Sequence, residues 1–341
     1  MIRRGIDNIN ESKRWICLEG SGLAGGRLGK TSIVAIVLAA VALLVVVGHL
    51  YWAQVELGVA ERSFTVKSFD GAEVYVLEKY VPRVETKGVV ILLHPYTGVG
   101  HLYYDIPVSD YSLMDYLARH GFDVYAIDVR GFGLSDKPET FTLEDCARDV
   151  KAVVDRIISE KGVSRVSVVG LSFGSCVAVT FTGMYGELVD RLVLIGYPYK
   201  DMNDTFEQVF SALPQLASQG IYYVPEEASR EKGPFLHEAE EEIIDQWYEL
   251  ISSRNSTIPT AVMADLLNYT SSKYIPQIKA PTLLIRGEYD VLVLQEDNWN
   301  CFRDLGCHEK AYVVLANAGH SAVREKVHLE LFKLILGWLE E

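Results

Sequence analysis

The sequence predicts an α/β fold: a mostly parallel central sheet flanked by helices, with a helical cap inserted late in the chain and one N-terminal membrane-crossing helix ahead of it. Three observations predict it. Short apolar runs alternate with helix-like stretches, as expected of parallel strands joined by helical crossovers and covered on both faces. One of these runs, Val166-Ser167-Val168-Val169, enters a helix-like stretch through Gly170-Leu171-Ser172-Phe173-Gly174. The alternation lapses between Tyr199 and Pro281 and resumes at Thr282.

Residues 1–30 form a basic leader, expected on the cytoplasmic side. Residues 31–52 follow as an apolar run in which Ile33 to Val47 carries no polar side chain. A helix of about 20 residues spans the ~30 Å hydrocarbon layer. Arg27 and Lys30 suit one interface, Tyr51 and Trp52 the other. The positive-inside rule then leaves the remainder of the chain outside the cell membrane. A cleaved signal peptide fits less well, because Ala53 has bulky Tyr51 at the position where cleavage wants a small residue. A buried core helix fits less well, because the run has no polar face.

Beyond the run, Arg62–Lys67 and Val74–Tyr80 alternate like antiparallel strands around the turn Asp70-Gly71. Val89–Leu93 is continuously apolar, as a buried parallel strand requires. Ser109–His120 reads as a helix ended by Gly121, and Phe122–Ile127 as the next strand. Leu143–Glu160 is an amphipathic helix with Thr142 as N-cap and Gly162 past its end. The strand Arg191–Ile195, the strands Thr282–Arg286 and Ala311–Leu315, and a closing helix Ala322–Glu340 complete the core. The core is thus expected at 53–198 and 282–341, with the cap at 199–281. Phe206, Phe210, Tyr222, Tyr223, Phe235, Trp247 and Tyr248 are expected to build the interior of that cap, with one or two lining a pocket. The acidic run Glu238–Glu242 reads as a solvated helix face.

The 341-residue chain carries a net charge of −14. Residues 1–32 are net +3, which leaves −17 on the rest. A body this acidic repels nucleic acid. Five cysteines make no disulfide scaffold, although Cys301 and Cys307, in a loop-like stretch, are spaced to close a small ring. No Cys/His cluster has metal-ligand spacing, and no cofactor motif is expected. Asn203, Asn255 and Asn268 head glycosylation-type triplets on the side expected to face outside, and Asn10 heads one on the other side.

A serine hydroxyl needs a base to take its proton and a carboxylate to orient that base. Ser172 sits at a strand-to-helix turn of the type that exposes a hydroxyl at a sheet edge. His320 is the candidate base, between a strand and the last helix in Ala318-Gly319-His320-Ser321. Asp290 is the candidate orienter, just past the strand that ends at Arg286, with Asp201 as a fallback. His94 and His101 also lie near the edge, but both precede Ser172. For the oxyanion, the expected donors are the backbone N–H of Phe173 and that of Tyr96, because Pro95 has none. The Tyr96 hydroxyl either assists or packs.

This set resembles the α/β-hydrolase family from about Arg62 to the C-terminus. Asp128-Val129-Arg130-Gly131-Phe132-Gly133-Leu134-Ser135 looks like that family's D-x-R-G-x-G-x-S turn, and Asp136-Lys137-Pro138 and Asp149 match the same region. The resemblance implies the triad Ser172, Asp290 and His320. Two departures stand out: His94-Pro95 replaces the usual His-Gly, and Ser175 stands where many lipases have a second glycine.

The expected activity is that of a membrane-anchored serine hydrolase that cleaves a carboxylic ester, a small-molecule substrate, through an acyl-enzyme. An aminopeptidase or amidase on the same fold is the alternative, since Gly-Leu-Ser-Phe-Gly-Ser looks somewhat like the elbow of proline iminopeptidases. Epoxide hydrolases and haloalkane dehalogenases place Asp where Ser172 stands. A catalytically silent surface module is the remaining reading.

Overall fold

The computed structural model describes residues 36, 38–45, 58–96, 98–200, 221–223, 236–252, 257–259 and 261–341. The chain divides into two units, 1–56 and 57–341. In the first, residues 36 and 38–45 are helical and their aliphatic side chains are exposed. Among the described residues no helix is long and apolar enough to cross a membrane. The rest of the expected span, and the leader before it, lie outside the described residues.

The second unit is built on an eight-stranded sheet. Strands β1 (Ala60–Lys67), β2 (Glu73–Tyr80), β3 (Val89–Leu93), β4 (Asp123–Ile127), β5 (Val166–Leu171) and β6 (Val189–Ile195) precede the insertion. The insertion contributes a separate ribbon, β7 (Ile221–Tyr223) with β8 (Thr257–Pro259), and the sheet resumes with β9 (Thr282–Gly287) and β10 (Lys310–Leu315). The sheet order is β1-β2-β4-β3-β5-β6-β9-β10. β1 and β2 are antiparallel, β2 meets β4 antiparallel, and the six strands from β4 to β10 are parallel. Every parallel strand therefore ends on the same edge.

Period-two burial sorts the strand side chains into two layers. Ile91 and Leu93 join Val168 and Leu194 against helices α3 and α4 on one face, where α3 is Leu143–Lys161 and α4 is Phe173–Met184. Val90 and Leu92 join Val169 and Val193 on the other, against α2 (Leu113–Arg119) and α8 (His328–Glu340). Each such aliphatic side chain contributes about 1.5–3 kcal/mol on burial. α3 starts as its sequence says. Thr142 Oγ1 accepts the Asp145 amide and Asp145 reaches back to Thr142, a capping box, while Gly162 closes the far end at φ 69°.

Four expectations are corrected. The helix expected from Ser109 starts at Leu113, because Ser112 caps it by accepting the Asp115 amide. The closing helix is broken: Ala322–Arg324 forms one 3-10 turn and α8 begins only at His328. Cys301 lies in a helix, α7 (Gln295–Asp304), and both Cys301 and Cys307 are buried free thiols. The insertion is not purely helical. Besides the ribbon it holds α5 (Glu241–Ser252), α6 (Met263–Leu267) and the 3-10 stretch Thr270–Gln277. Its Trp247 packs edge-on against Tyr103 of α1 (Gly100–Tyr103), 5.2 Å between ring centroids, and so faces the main core. Glu240, Glu241 and Glu242 are exposed, as a solvated face should be.

Candidate active site

Ser172 stands at φ 55° and ψ −115° as the N-cap of α4, between β5 and the helix. Such a conformation is costly for a residue with a Cβ and persists only where the surroundings enforce it. Here the enforcement is close packing. A Cβ on Gly170 would lie 2.4 Å from the Gly174 oxygen, and one on Gly174 would lie 1.9 Å from the Leu93 oxygen. Both positions therefore require glycine. The Ser172 amide is anchored to the neighbouring strand, donating to Ile195 at 2.8 Å. Ser175 fills the elbow from within: its Oγ donates to the Gly170 carbonyl at 2.7 Å and accepts the Ile195 amide at 3.2 Å. The serine that departs from the lipase pattern is thus a cross-brace between β5 and β6.

The residue after Ile195 connects Ser172 to the other two candidates. Gly196, at φ 54°, lies under the His320 ring, and a Cβ there would sit 3.0 Å from both Cε1 and Nδ1. His320 Nδ1 is 2.8 Å from Asp290 Oδ2. The other carboxylate oxygen, Oδ1, accepts the amides of Leu292 at 2.9 Å and Val293 at 3.1 Å. Both side chains are buried, and an acceptor facing Nδ1 fixes the tautomer with the proton on that nitrogen. The imidazole's Nε2 is then the basic nitrogen. The fallback Asp201 lies outside the described residues.

Arg286 holds the Asp290 loop in shape. Its guanidinium donates to the carbonyls of Gly287 at 2.7 Å, Val293 at 2.8 Å and Asp290 itself at 2.7 Å. In the sequence Arg286 is only the last residue of an expected strand. Glu325 was missed as well: it is fully buried and accepts the amide of Gly319, the residue before His320, at 2.7 Å.

The loop after β3 sits on the start of α4. The Tyr96 and Phe173 rings are 5.9 Å apart, edge to face, and both are buried. Phe173 is the first residue of α4, where amides have no intrahelical acceptor and the helix dipole favours negative charge. The Tyr96 hydroxyl donates to the Pro259 carbonyl in β8, which ties the loop to the insertion. His94 is not a base. Its Nδ1 donates to the Pro95 carbonyl at 2.9 Å, and its Nε2 accepts the Val129 amide at 3.1 Å. Burial pushes the His94 imidazole below its ordinary range, against the pull of the Pro95 carbonyl and Asp128. His101 is paired with Asp128, Nδ1 to Oδ2 at 2.8 Å, and that carboxylate also accepts the Leu134 amide at 2.9 Å. This second His/Asp pair fastens the Asp128–Ser135 turn. Among the described residues no group of His, Cys, Asp and Glu has the arrangement to hold a metal ion.

The family profile described as "Serine aminopeptidase, S33", a hydrolase family, matches residues 85–327. The chain belongs to this family of α/β hydrolases. The AB hydrolase superfamily protein YisY of Bacillus subtilis is 28% identical over 234 residues, 62% of this chain and 80% of that protein. Epoxide hydrolase 4 of Mus musculus is 28% identical over 105 residues, 30% of this chain and 28% of its own length. Among solved structures, a thermophilic esterase from Thermogutta terrifontis superposes with a TM-score of 0.64 at 21% identity, over 82% of this chain and 98% of that one. An esterase from Exiguobacterium antarcticum gives 0.64 at 18% identity, over 81% and 99%. At these identities the structures establish the α/β-hydrolase fold.

In this α/β hydrolase the candidates follow strands that end on one sheet edge. Ser172 follows β5, Gly196 follows β6, Asp290 follows β9 and His320 follows β10. Consecutive positions across four adjacent parallel strands put residues more than a hundred apart in sequence on one sheet edge.

Proposed function

We propose that this chain is a serine hydrolase that cleaves a small carboxylic ester through an acyl-enzyme. The observation that carries the reading is the buried Asp290–His320 pair, lying on Gly196 beside the strained backbone of Ser172. Ser172 Oγ attacks the ester carbonyl while His320 Nε2 takes its proton. The carbonyl oxygen gains the negative charge, and the backbone amides of Phe173 and Tyr96 are its proposed donors. The intermediate collapses, the C–O bond breaks, and the alcohol leaves with the proton from His320. Water then attacks the acyl-serine with His320 again as base, which releases the carboxylic acid and restores Ser172. Asp290 stabilises the imidazolium throughout and keeps its charge.

Turnover of p-nitrophenyl esters tests this reading. Ser172→Ala should abolish it while the protein stays folded, and unchanged turnover would reject the nucleophile. Amide cleavage is the second reading, favoured by the family's description as serine aminopeptidases. Measuring kcat/KM for an ester and for an aminoacyl amide on the same preparation separates the two. Epoxide opening is disfavoured despite the resemblance to epoxide hydrolases, since those enzymes carry Asp at the position of Ser172.

We also infer that residues 31–52 anchor the enzyme in a bilayer with the catalytic unit outside. The support is the length of the uncharged run and its basic leading flank. Full-length protein should stay in the membrane pellet after alkaline carbonate extraction. Release into the supernatant would reject the anchor.

A further inference from the structure

The two carboxylate oxygens of Glu325 are divided between two parts of the molecule. Oε2 accepts the Gly319 amide at 2.7 Å, next to His320. Oε1 accepts the His237 amide at 3.1 Å, in the insertion between β6 and β9. Alongside, the Lys326 amide donates to the Glu238 carbonyl at 2.9 Å. The His237 ring lies flat on Tyr289, with centroids 3.7 Å apart and 8° between planes. Tyr289 precedes Asp290, and its amide donates to the Ala318 carbonyl at 2.8 Å. Two residues of the insertion therefore touch the loop of the candidate acid through a ring and the loop of the candidate base through a carboxylate.

Two N–H donors facing one group require two acceptors. An ionised carboxylate supplies them, whereas a carboxylic acid or an amide turns one of its ends into a donor. Burying that charge is costly, and a buried ion is a poor device for stability. Burial does raise the Glu325 carboxyl above its ordinary range, against the Gly319 and His237 amides and the nearby His237 and Arg324 charges. The cost is spent at the root of the loop that carries His320. Glu325 sits buried between the turn Ala322–Arg324 and α8, where the last helix is interrupted.

We propose that Glu325 is a positioning residue, which fixes the loop bearing His320 and couples it to the docked segment His237–Glu238 of the insertion. The proposal rests on the Ser172–His320–Asp290 reading given above. The imidazole is in register for proton transfer only while His237 and Glu238 are docked on Glu325 and Lys326.

The test uses the full chain, with p-nitrophenyl ester kinetics normalised to sites labelled to completion by a fluorophosphonate. Glu325→Ala loses both bonds and Glu325→Gln loses one. Both should lower kcat per labelled site, by roughly 10- to 100-fold for Ala, the range that small displacements of a reacting group produce, and by less for Gln. KM should stay within about threefold in both, because Glu325 touches loops and not substrate. Glu325→Asp keeps the charge and shortens the reach, so it should show the same split at smaller size. It carries the test if the other two yield no labelled sites. Wild-type kcat per site in the folded variants, or a change confined to KM, would overturn the proposal. Ser172→Ala is run in parallel. If it is dead while the Glu325 variants are unaltered, only the positioning role falls; if it turns over, the serine reading falls and takes this proposal with it.

Discussion

Gly287 and Gly319 are in backbone contact: a Cβ added to Gly287 would lie 2.2 Å from the Gly319 carbonyl oxygen. Gly287 ends β9, three residues before Asp290, and Gly319 immediately precedes His320. The loops that carry the two side chains are thus pressed together at their roots. The Glu288 amide adds a bond to the Leu315 carbonyl at 2.8 Å. Gly287→Ala must push the loops apart, since the obstructing atom is backbone. We expect kcat to fall about 10- to 100-fold through misplacement of the Asp290–His320 pair. Steady-state kinetics on protein with an unchanged circular dichroism spectrum checks this, and a wild-type kcat would contradict it.

Asp290→Asn keeps the shape of the side chain and removes its charge. Its oxygen can still accept the Leu292 and Val293 amides, so the loop should stay in place. The amide NH2 then faces His320 Nδ1 and favours the wrong tautomer. The expected loss in kcat is about 10³–10⁴-fold, with little change in melting temperature. A loss below about tenfold would show that Asp290 does not orient the base.

How much of this was legible beforehand depends on how local the signal was. The elbow at Ser172, the caps of α3 at Thr142 and Gly162, and the apolar strands are written in short stretches of chain, and the structure places them where expected. The pairing of Asp290 with His320 could be inferred only because each follows a strand on one sheet edge. Arg286 and Glu325 left no such trace. A buried arginine bonded to carbonyls looks, in sequence, like any arginine near a turn. Glu325 was absorbed into a helix pattern, and its inward turn is set by amides from Gly319 and His237, 88 residues apart from it in the second case. The helix around Cys301 carries no apolar stripe to mark it: it buries Asp297, Asn298 and Cys301 and leaves Trp299 exposed.

The thiols among the described residues should be silent in the folded protein. Cys146, Cys176, Cys301 and Cys307 are buried and free. Burial pushes the Cys146 and Cys301 thiols well up and the Cys176 thiol to about 12, so these three are not thiolates at neutral pH. Native protein exposed to an aromatic disulfide reagent should leave these four unmodified. After denaturation without reductant, alkylation and peptide mapping should find all four modified. A peptide linking Cys301 to Cys307 would refute the free-thiol assignment.

His94 makes stability pH-dependent. Its neutral ring is held by the Pro95 carbonyl and the Val129 amide, and burial lowers its affinity for a proton below the ordinary 6.5. The unfolded chain therefore binds the proton more readily, and stability is lost as pH falls from about 6.5 towards the folded value. Melting temperatures taken between pH 7.5 and 5, chosen to bracket the ordinary histidine range of about 6.5, should decline on the acid side. In His94→Gln that decline should be shallower on a lower baseline. An equal slope in the variant would assign the effect to other groups.

The Tyr96 hydroxyl separates holding the insertion from catalysing the reaction. It donates to the Pro259 carbonyl of β8, and its ring sits among Phe132 and Phe173 at centroid distances of 5.8 and 5.9 Å. Burial raises its pKa, so it remains a neutral donor. Tyr96→Phe keeps the ring and the backbone amide proposed for the oxyanion, and deletes only the tie to β8. Losing a buried hydrogen bond and leaving a carbonyl without its donor costs about 1–3 kcal/mol. That cost falls on the tie to β8 and leaves the His237–Glu325 bond intact, so KM should rise severalfold while kcat stays within about twofold. A kcat collapse with unchanged KM would instead make the hydroxyl part of the chemistry, and the backbone amide would lose its place as the donor from this loop.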